Sequence, residues 1–225
     1  MPVDPATLPI VAAGLVVIVA GSVIYFAFAY EKKRRAALAQ VALTLGFTYL
    51  DKVPPEALAG FGNFPLFRHG HSKSGRSMME GKTGDAQVTL LDYQYTVGGG
   101  KNSHTYRQTV AIYRAAPTGL PEFTLAPEHV WHRIGALFGY QDIDFEASQE
   151  FSKHYLLRGP DEAAIRAAFG AEALGFFAQN LGWSVESFGG ALAVYRAAKR
   201  CKPEEIQPFA AETANVLRAL VKAEW

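Results

Sequence analysis

The chain has 225 residues and a mass of 24.5 kDa, enough for one domain of ~100–200 residues plus an appendage. Its 22 Lys and Arg against 21 Asp and Glu leave a net charge of +1, too weak a basic field for a dedicated nucleic-acid binder. Hydrophobic residues at 49% against charged ones at 19% exclude a disordered chain, and one cysteine excludes an internal disulfide or a cysteine-based zinc site.

The first element is apolar. Leu8–Tyr30 is a run of 23 residues without a formal charge. As a helix at ~1.5 Å per residue it reaches ~34 Å, enough for a hydrocarbon core of ~30 Å. Met1–Thr7 carries no Lys or Arg, so the n-region of a cleaved signal peptide is missing. The sequence therefore predicts a short extracytoplasmic segment (1–7) and a transmembrane helix (8–30). A basic juxtamembrane segment and helix (31–50) and a domain (51–225) follow. Lys32, Lys33, Arg34 and Arg35 all follow the span, which predicts an N-terminus outside, a cytoplasmic domain and an inner (plasma) membrane location. These four residues are expected at the membrane surface, against anionic headgroups. Ala13, Gly14, Ala20, Gly21 and Ala27 place small residues along one face of the span, where another helix could pack closely.

Four of the 22 basic and two of the 21 acidic residues lie within 1–35, so the remainder is balanced to within one charge. Ala36–Leu45 reads as a helix, with Leu38, Val41, Ala42 and Leu45 on one face and Gly46 as its stop. Residues 51–55 read as a turn or linker, and Glu56–Ala59 as one helical turn. Pro65–His71 and Ser77–Lys82 read as short strands. Ala86–Val97 and Thr105–Ala115 are the strongest strands, joined through Gly98, Gly99 and Gly100. Phe123–Leu125 adds a short strand and Pro127–Leu137 an amphipathic helix. Phe151–Leu157 reads as a strand. A helix opened by Pro160-Asp161-Glu162 is closed by Gly170, and a second covers Ala171–Leu181. Trp183–Phe188 and Ala191–Arg196 form a hairpin around Gly189-Gly190, and a final amphipathic helix runs from Pro203 to about Lys222. The fold class expected is α+β: one N-terminal transmembrane helix, then a mostly antiparallel sheet with packed helices.

The runs Phe64-Pro-Leu-Phe-Arg68, Leu91-Asp-Tyr-Gln-Tyr-Thr96, Gly98-Gly-Gly-Lys101 and Gln108-Thr-Val110 resemble those of a group of uncharacterised bacterial membrane-anchored proteins. Leu120-Pro-Glu-Phe123 and Asp142-Ile-Asp-Phe145 extend the likeness over nearly all of the chain after Arg34. The resemblance implies the anchored architecture and brings no activity with it.

Motifs for chemistry are scarce. Gly81-Lys82-Thr83 and Gly100-Lys101 lack the earlier glycine of a phosphate-binding loop, since Arg76 and Tyr95 stand there. His69 with His71, and His129 with His132, share faces in pairs, but neither pair has a third ligand at a metal-binding spacing, and no metal or cofactor is expected. Asp142, Asp144 and Glu146 begin like a calcium loop, yet Ala147 and Lys153 stand where its glycine and glutamate belong. Cys201 between Arg200 and Lys202 has a setting that could lower a thiol pKa. Asp92 is the weak catalytic candidate. It shares a strand face with Val88 and Leu90, and a turn over Gly98–Asn102 would pair it near Gln108, with Arg68 or Arg107 as further donors. A structural polar pair is the stronger reading of that residue. The hairpin tip, with Gly98, Gly99, Gly100, Lys101 and His104, is the partner-binding candidate.

The function expected is that of a single-pass membrane-anchored protein rather than an enzyme. Its domain would bind a partner protein as an accessory, scaffold or assembly subunit. The alternatives are a membrane-tethered enzyme on a lipid or small molecule, and a lipid- or ligand-binding module. The expected partners are the lipid bilayer and a protein, which could be another membrane protein, and not nucleic acid.

Overall fold

An α-helix of 37 residues, α1 (Leu8–Thr44), opens the fold and joins the two expected helices 8–30 and 36–45 into one rod. The computed structural model describes residues 8–114, 119–130 and 141–221, with the side chains of 8–14, 16, 17 and 147 outside that description. The rod ends at Gly46, whose φ of 69° is readily taken by a residue without Cβ. The turn is locked by the Gly46 N–H donating to the Leu43 carbonyl (3.0 Å) and the Phe47 N–H to the Ala42 carbonyl (2.8 Å).

The strands are β1 (Thr48–Lys52), β2 (His71–Thr83), β3 (Ala86–Val97), β4 (His104–Arg114), β5 (Phe123–Pro127), β6 (Tyr155–Arg158), β7 (Ser184–Phe188) and β8 (Ala191–Tyr195). They form one sheet in the order β1-β2-β3-β4-β8-β7-β5-β6, with every described neighbour pair antiparallel. The shorter helices are α2 (Pro55–Ala59), α3 (Pro65–Arg68), α4 (Gln149–His154), α5 (Glu162–Ala168) and α6 (Ala171–Gln179), and α7 (Ile206–Val221) closes the chain. The class is α+β, an antiparallel sheet with packed helices.

Alternation in the central strands sends side chains to two covered faces. Val88, Leu90, Ala111, Tyr113, Val185, Leu192 and Val194 pack on one side against Leu38 and Ala42 of α1 and against α5, α6 and α7. Leu91, Tyr93, Val110, Ile112, Ala193 and Tyr195 pack on the other beneath Phe61, Phe64, Leu66 and Phe67 around α2 and α3. Strands covered on both sides read as nearly continuous apolar runs, as Ala191–Tyr195 does.

Several expected elements change. Pro65–His71 is not a strand. Its Pro65 sits at the first position of α3, and His69 follows as the cap residue. His69 and His71 therefore share no strand face: the His69 ring packs edge-on to Tyr95, while His71 begins β2. Phe151–Leu157 is divided between α4 and β6. Asp51 and Lys52 belong to β1 rather than a linker, so the sheet runs across the expected boundary at residue 50. Of the helix expected over Pro127–Leu137, residues 128–130 are helical and the remainder, with His132, lies outside the described residues. The segment 1–7 and the side chains of Ala13 and Gly14 lie outside them too. Among the described residues no helix is long and apolar enough to cross a membrane.

Candidate functional site

The helix meets the sheet through charge. Arg34 of α1 is 5% exposed and its Nη1 donates to Asp92 Oδ2 on β3 at 2.6 Å, while its Nη2 donates to the Cys201 carbonyl at 2.6 Å. Arg200 donates from Nε to the same Asp92 oxygen (3.0 Å) and grips Glu31 of α1 with two bonds, 2.7 and 3.0 Å. The other Asp92 oxygen accepts from Thr109 Oγ1 (2.8 Å), which in turn accepts from the Cys201 N–H (2.9 Å). Two arginines and two carboxylates thus neutralise one another where the helix crosses the sheet. A buried charge persists only with such partners. Arg200 hydrogen-bonds Glu31 and holds its carboxyl below the usual range. Burial works to lower the Arg200 guanidinium, and Glu31 and Asp92 outweigh it and hold the group above its ordinary value.

This arrangement corrects two expectations. Arg34 lies buried in the domain rather than at a membrane surface, and Arg35 turns to Asp51 (2.9 Å), while Lys32 and Lys33 stay exposed. Asp92 does share a face with Val88 and Leu90, but it pairs with Thr109 and not with Gln108. The connection after β3 is one residue longer than Gly98–Asn102, because Val97 pairs with His104 and Ser103 belongs to the turn. One residue of slip sends Gln108, Val110 and Ile112 to the opposite face. Asp92 has all of its described bonds committed to structure, and no histidine is among its partners.

The tip itself is shaped and exposed. Gly98 and Gly100 take φ of 76° and 57°, and a Cβ on Gly98 would overlap the Asn102 carbonyl. The Asn102 N–H donates to the Gly99 carbonyl (3.1 Å), Ser103 Oγ to the Gly100 carbonyl (3.1 Å), and His71 Nε2 to the Gly98 carbonyl (2.9 Å). Gly98, Gly99, Gly100, Lys101 and His104 all face solvent. Ala20, Gly21 and Ala27 are likewise exposed, and nothing stands within 4 Å of a Cβ built on Gly21.

Cys201 is buried, and burial pushes its thiol up, opposite to the effect its basic neighbours suggest. Asp142 Oδ1 accepts the N–H groups of Ile143 (3.1 Å) and Leu157 (2.8 Å), and the Asp144 carbonyl accepts from Arg166, so the acidic turn fastens β6. Among the described residues no group of three metal-ligating side chains converges.

One residue escapes the sequence entirely. Glu186 on β7 is fully buried, and burial raises its carboxyl to about 7. Its oxygens accept from Tyr195 OH (2.8 Å) and the Leu66 N–H (3.1 Å), tying α3 to the sheet.

No family model matches the chain, and no curated protein matches it. Among solved structures, the mycobacterial trehalose monomycolate transport factor A shares the fold, with a TM-score of 0.57 at 12% identity over 86% of this chain and 97% of that one.

Proposed function

We infer that this chain is a single-pass membrane-anchored accessory protein. Leu8–Tyr30 spans the inner membrane with the N-terminus outside, and the α+β domain faces the cytoplasm and binds a partner protein. One observation carries the reading. Ile18, Val23, Ile24, Phe26 and Phe28 of α1 are each more than 60% exposed, and a rod of that apolarity needs a cover that the domain does not supply. The same rod continues without a break into the Arg34–Asp92–Arg200–Glu31 lock, so an anchor in the membrane would fix the domain's orientation. The apolar sequence of Leu8–Tyr30 and the Lys and Arg on its C-terminal side favour the span and its direction. The solved protein of the same fold is a transport factor by name, and such a role is compatible with an accessory subunit.

Topology is the first check. A reporter fused after Trp225 is expected to be active only when it is a cytoplasmic reporter, and a periplasm-active fusion overturns the orientation. The tip supplies the second. Replacing Gly98–Ser103 by Asn-Gly preserves the Val97–His104 pair and a two-residue hairpin. The fold is expected to survive, because none of the tip's bonds reaches the core. Proteins co-purifying with the full chain in mild detergent are expected to be lost from the shortened variant. Their retention at wild-type level removes the tip as the contact.

A further inference from the structure

A groove of about 580 Å³ lies between α1 and the far end of β2, β3 and β4. Its helical wall is apolar at Ile24, Ala27 and Phe28 and charged at Glu31 and Arg35, and its floor is mostly polar, with Ser74, Arg76, Gln94 and Arg107 beside Asp92, Tyr93 and Arg200. The charges of that floor do not cancel. Asp92 and Glu31 are consumed by Arg34 and Arg200, and Arg35 is taken by Asp51. Arg107 donates only its Nε, to the Gln94 amide (3.2 Å), and Arg76 has no hydrogen-bond or ion-pair partner among the described residues. Two guanidinium groups therefore face the groove without a counter-charge, and both side chains are exposed.

The register explains why they meet there. Arg76 stands opposite Asp92, and Arg107 opposite Gln94, so the two arginines flank β3 on one face, offset by two residues along it. Two strand spacings of ~4.8 Å and two residues of ~3.4 Å along the strand separate their Cα atoms by ~12 Å, a span that two extended arginine side chains close on one anion. The β2 ladder breaks directly after Arg76, where Ser77 takes a φ of 50°, and such irregularities re-aim neighbouring side chains. Ile24, Ala27 and Phe28 belong to the apolar run 8–30, so the groove holds a greasy wall and a cationic floor at the level where the run ends. Guanidinium forks match phosphate oxygens, and the apolar wall matches an acyl chain. We propose that this groove holds the phosphate-bearing headgroup of an anionic phospholipid, its chains lying along Ile24 and Phe28 and its phosphate between Arg76 and Arg107. The assignment rests on the reading of α1 as a membrane anchor.

The test uses the full chain in mild detergent, mixed separately with dioleoylphosphatidylglycerol, dioleoylphosphatidylcholine and glycerol 3-phosphate. Bound molecules are counted by native mass spectrometry. Phosphatidylglycerol is expected to be retained at least tenfold above phosphatidylcholine. Arg76→Gln with Arg107→Gln is expected to cut that retention at least tenfold while melting with the wild type. Lys82→Gln with Lys153→Gln, exposed and outside the groove, is expected to leave it unchanged. Equal retention by the arginine variant, or an equal loss in the lysine variant, overturns the groove as the site. Glycerol 3-phosphate held as well as the phospholipid overturns the lipid source. Carbonate extraction of membranes separates the two readings. A chain that carbonate releases but that still takes up phosphatidylglycerol refutes the anchor and supports the groove. A chain that resists carbonate and retains no phosphatidylglycerol refutes the groove and leaves the anchor standing.

Discussion

Asp92→Asn is expected to destabilise the protein by ~3–5 kcal/mol, the usual cost of leaving a buried charge without its partner. Arg34 is the charge at risk. It is 5% exposed, and Asp92 is the carboxylate it pairs with, at 2.6 Å. Arg200 suffers less, because it keeps both bonds to Glu31. An amide in place of Asp92 can still accept from Thr109, but its NH2 then faces two guanidinium donors. Asp92→Leu also strands Thr109 and is expected to cost a further ~1–3 kcal/mol. The double variant Arg34→Met with Asp92→Leu is the informative one. Replacing a buried pair by apolar groups is often close to neutral, so it is expected to melt above Asp92→Leu alone. Urea or thermal melts of the full chain in detergent give the order. A wild-type midpoint for Asp92→Asn would show that the helix–sheet lock contributes nothing, and the fixed orientation of the domain would lose its basis.

That lock was partly legible. Arg34, Leu38, Ala42 and Leu45 recur at helical spacing, so the arginine extends the apolar stripe that docks α1 on the domain. What hid it was the run Lys32–Arg35, which reads as one block of basic residues although a helix turns each of them to a different side. The hairpin β7–β8 and the strand β3 are legible for the opposite reason. Their alternation and their glycine turns act over a few residues, and no distant contact is needed to define them. The Pro65–Arg68 segment fails that condition, because four residues of Pro, Leu, Phe and Arg fit a strand as well as the first turn of a helix. Cys201 fails it too: its basic neighbours are adjacent in sequence, whereas the groups that bury it come from β4 and α1.

Glu186 is the clearest case of information that only the assembled sheet contains, and its consequence is a pH dependence. In sequence it sits in Ser184–Phe188 like the outward residue of a surface hairpin. The strand order puts β7 between β8 and β5, and α3 covers the face onto which Glu186 points. Its carboxyl stands at about 7 in the folded protein against an ordinary 4.5. The folded state then holds a proton that the unfolded state has released, so stability falls as pH rises between those two values. Below about 4.5 the penalty is absent, and above about 7 it is complete, at roughly 3 kcal/mol. Glu186→Gln keeps an acceptor for the Leu66 N–H or the Tyr195 hydroxyl and has no charge to bury. Its stability relative to the wild type is therefore expected to rise by ~3 kcal/mol from about pH 4.5 to about pH 7.5, with other titrating groups cancelling in the difference. Glu186→Leu leaves both donors unpartnered, one more than Glu186→Gln, and is expected to be less stable than Glu186→Gln at every pH by ~1–3 kcal/mol. Urea midpoints of the three proteins across that range decide it. A difference between Glu186→Gln and wild type that stays constant with pH would mean that the carboxyl titrates where an exposed glutamate does, and that water reaches this face of the sheet.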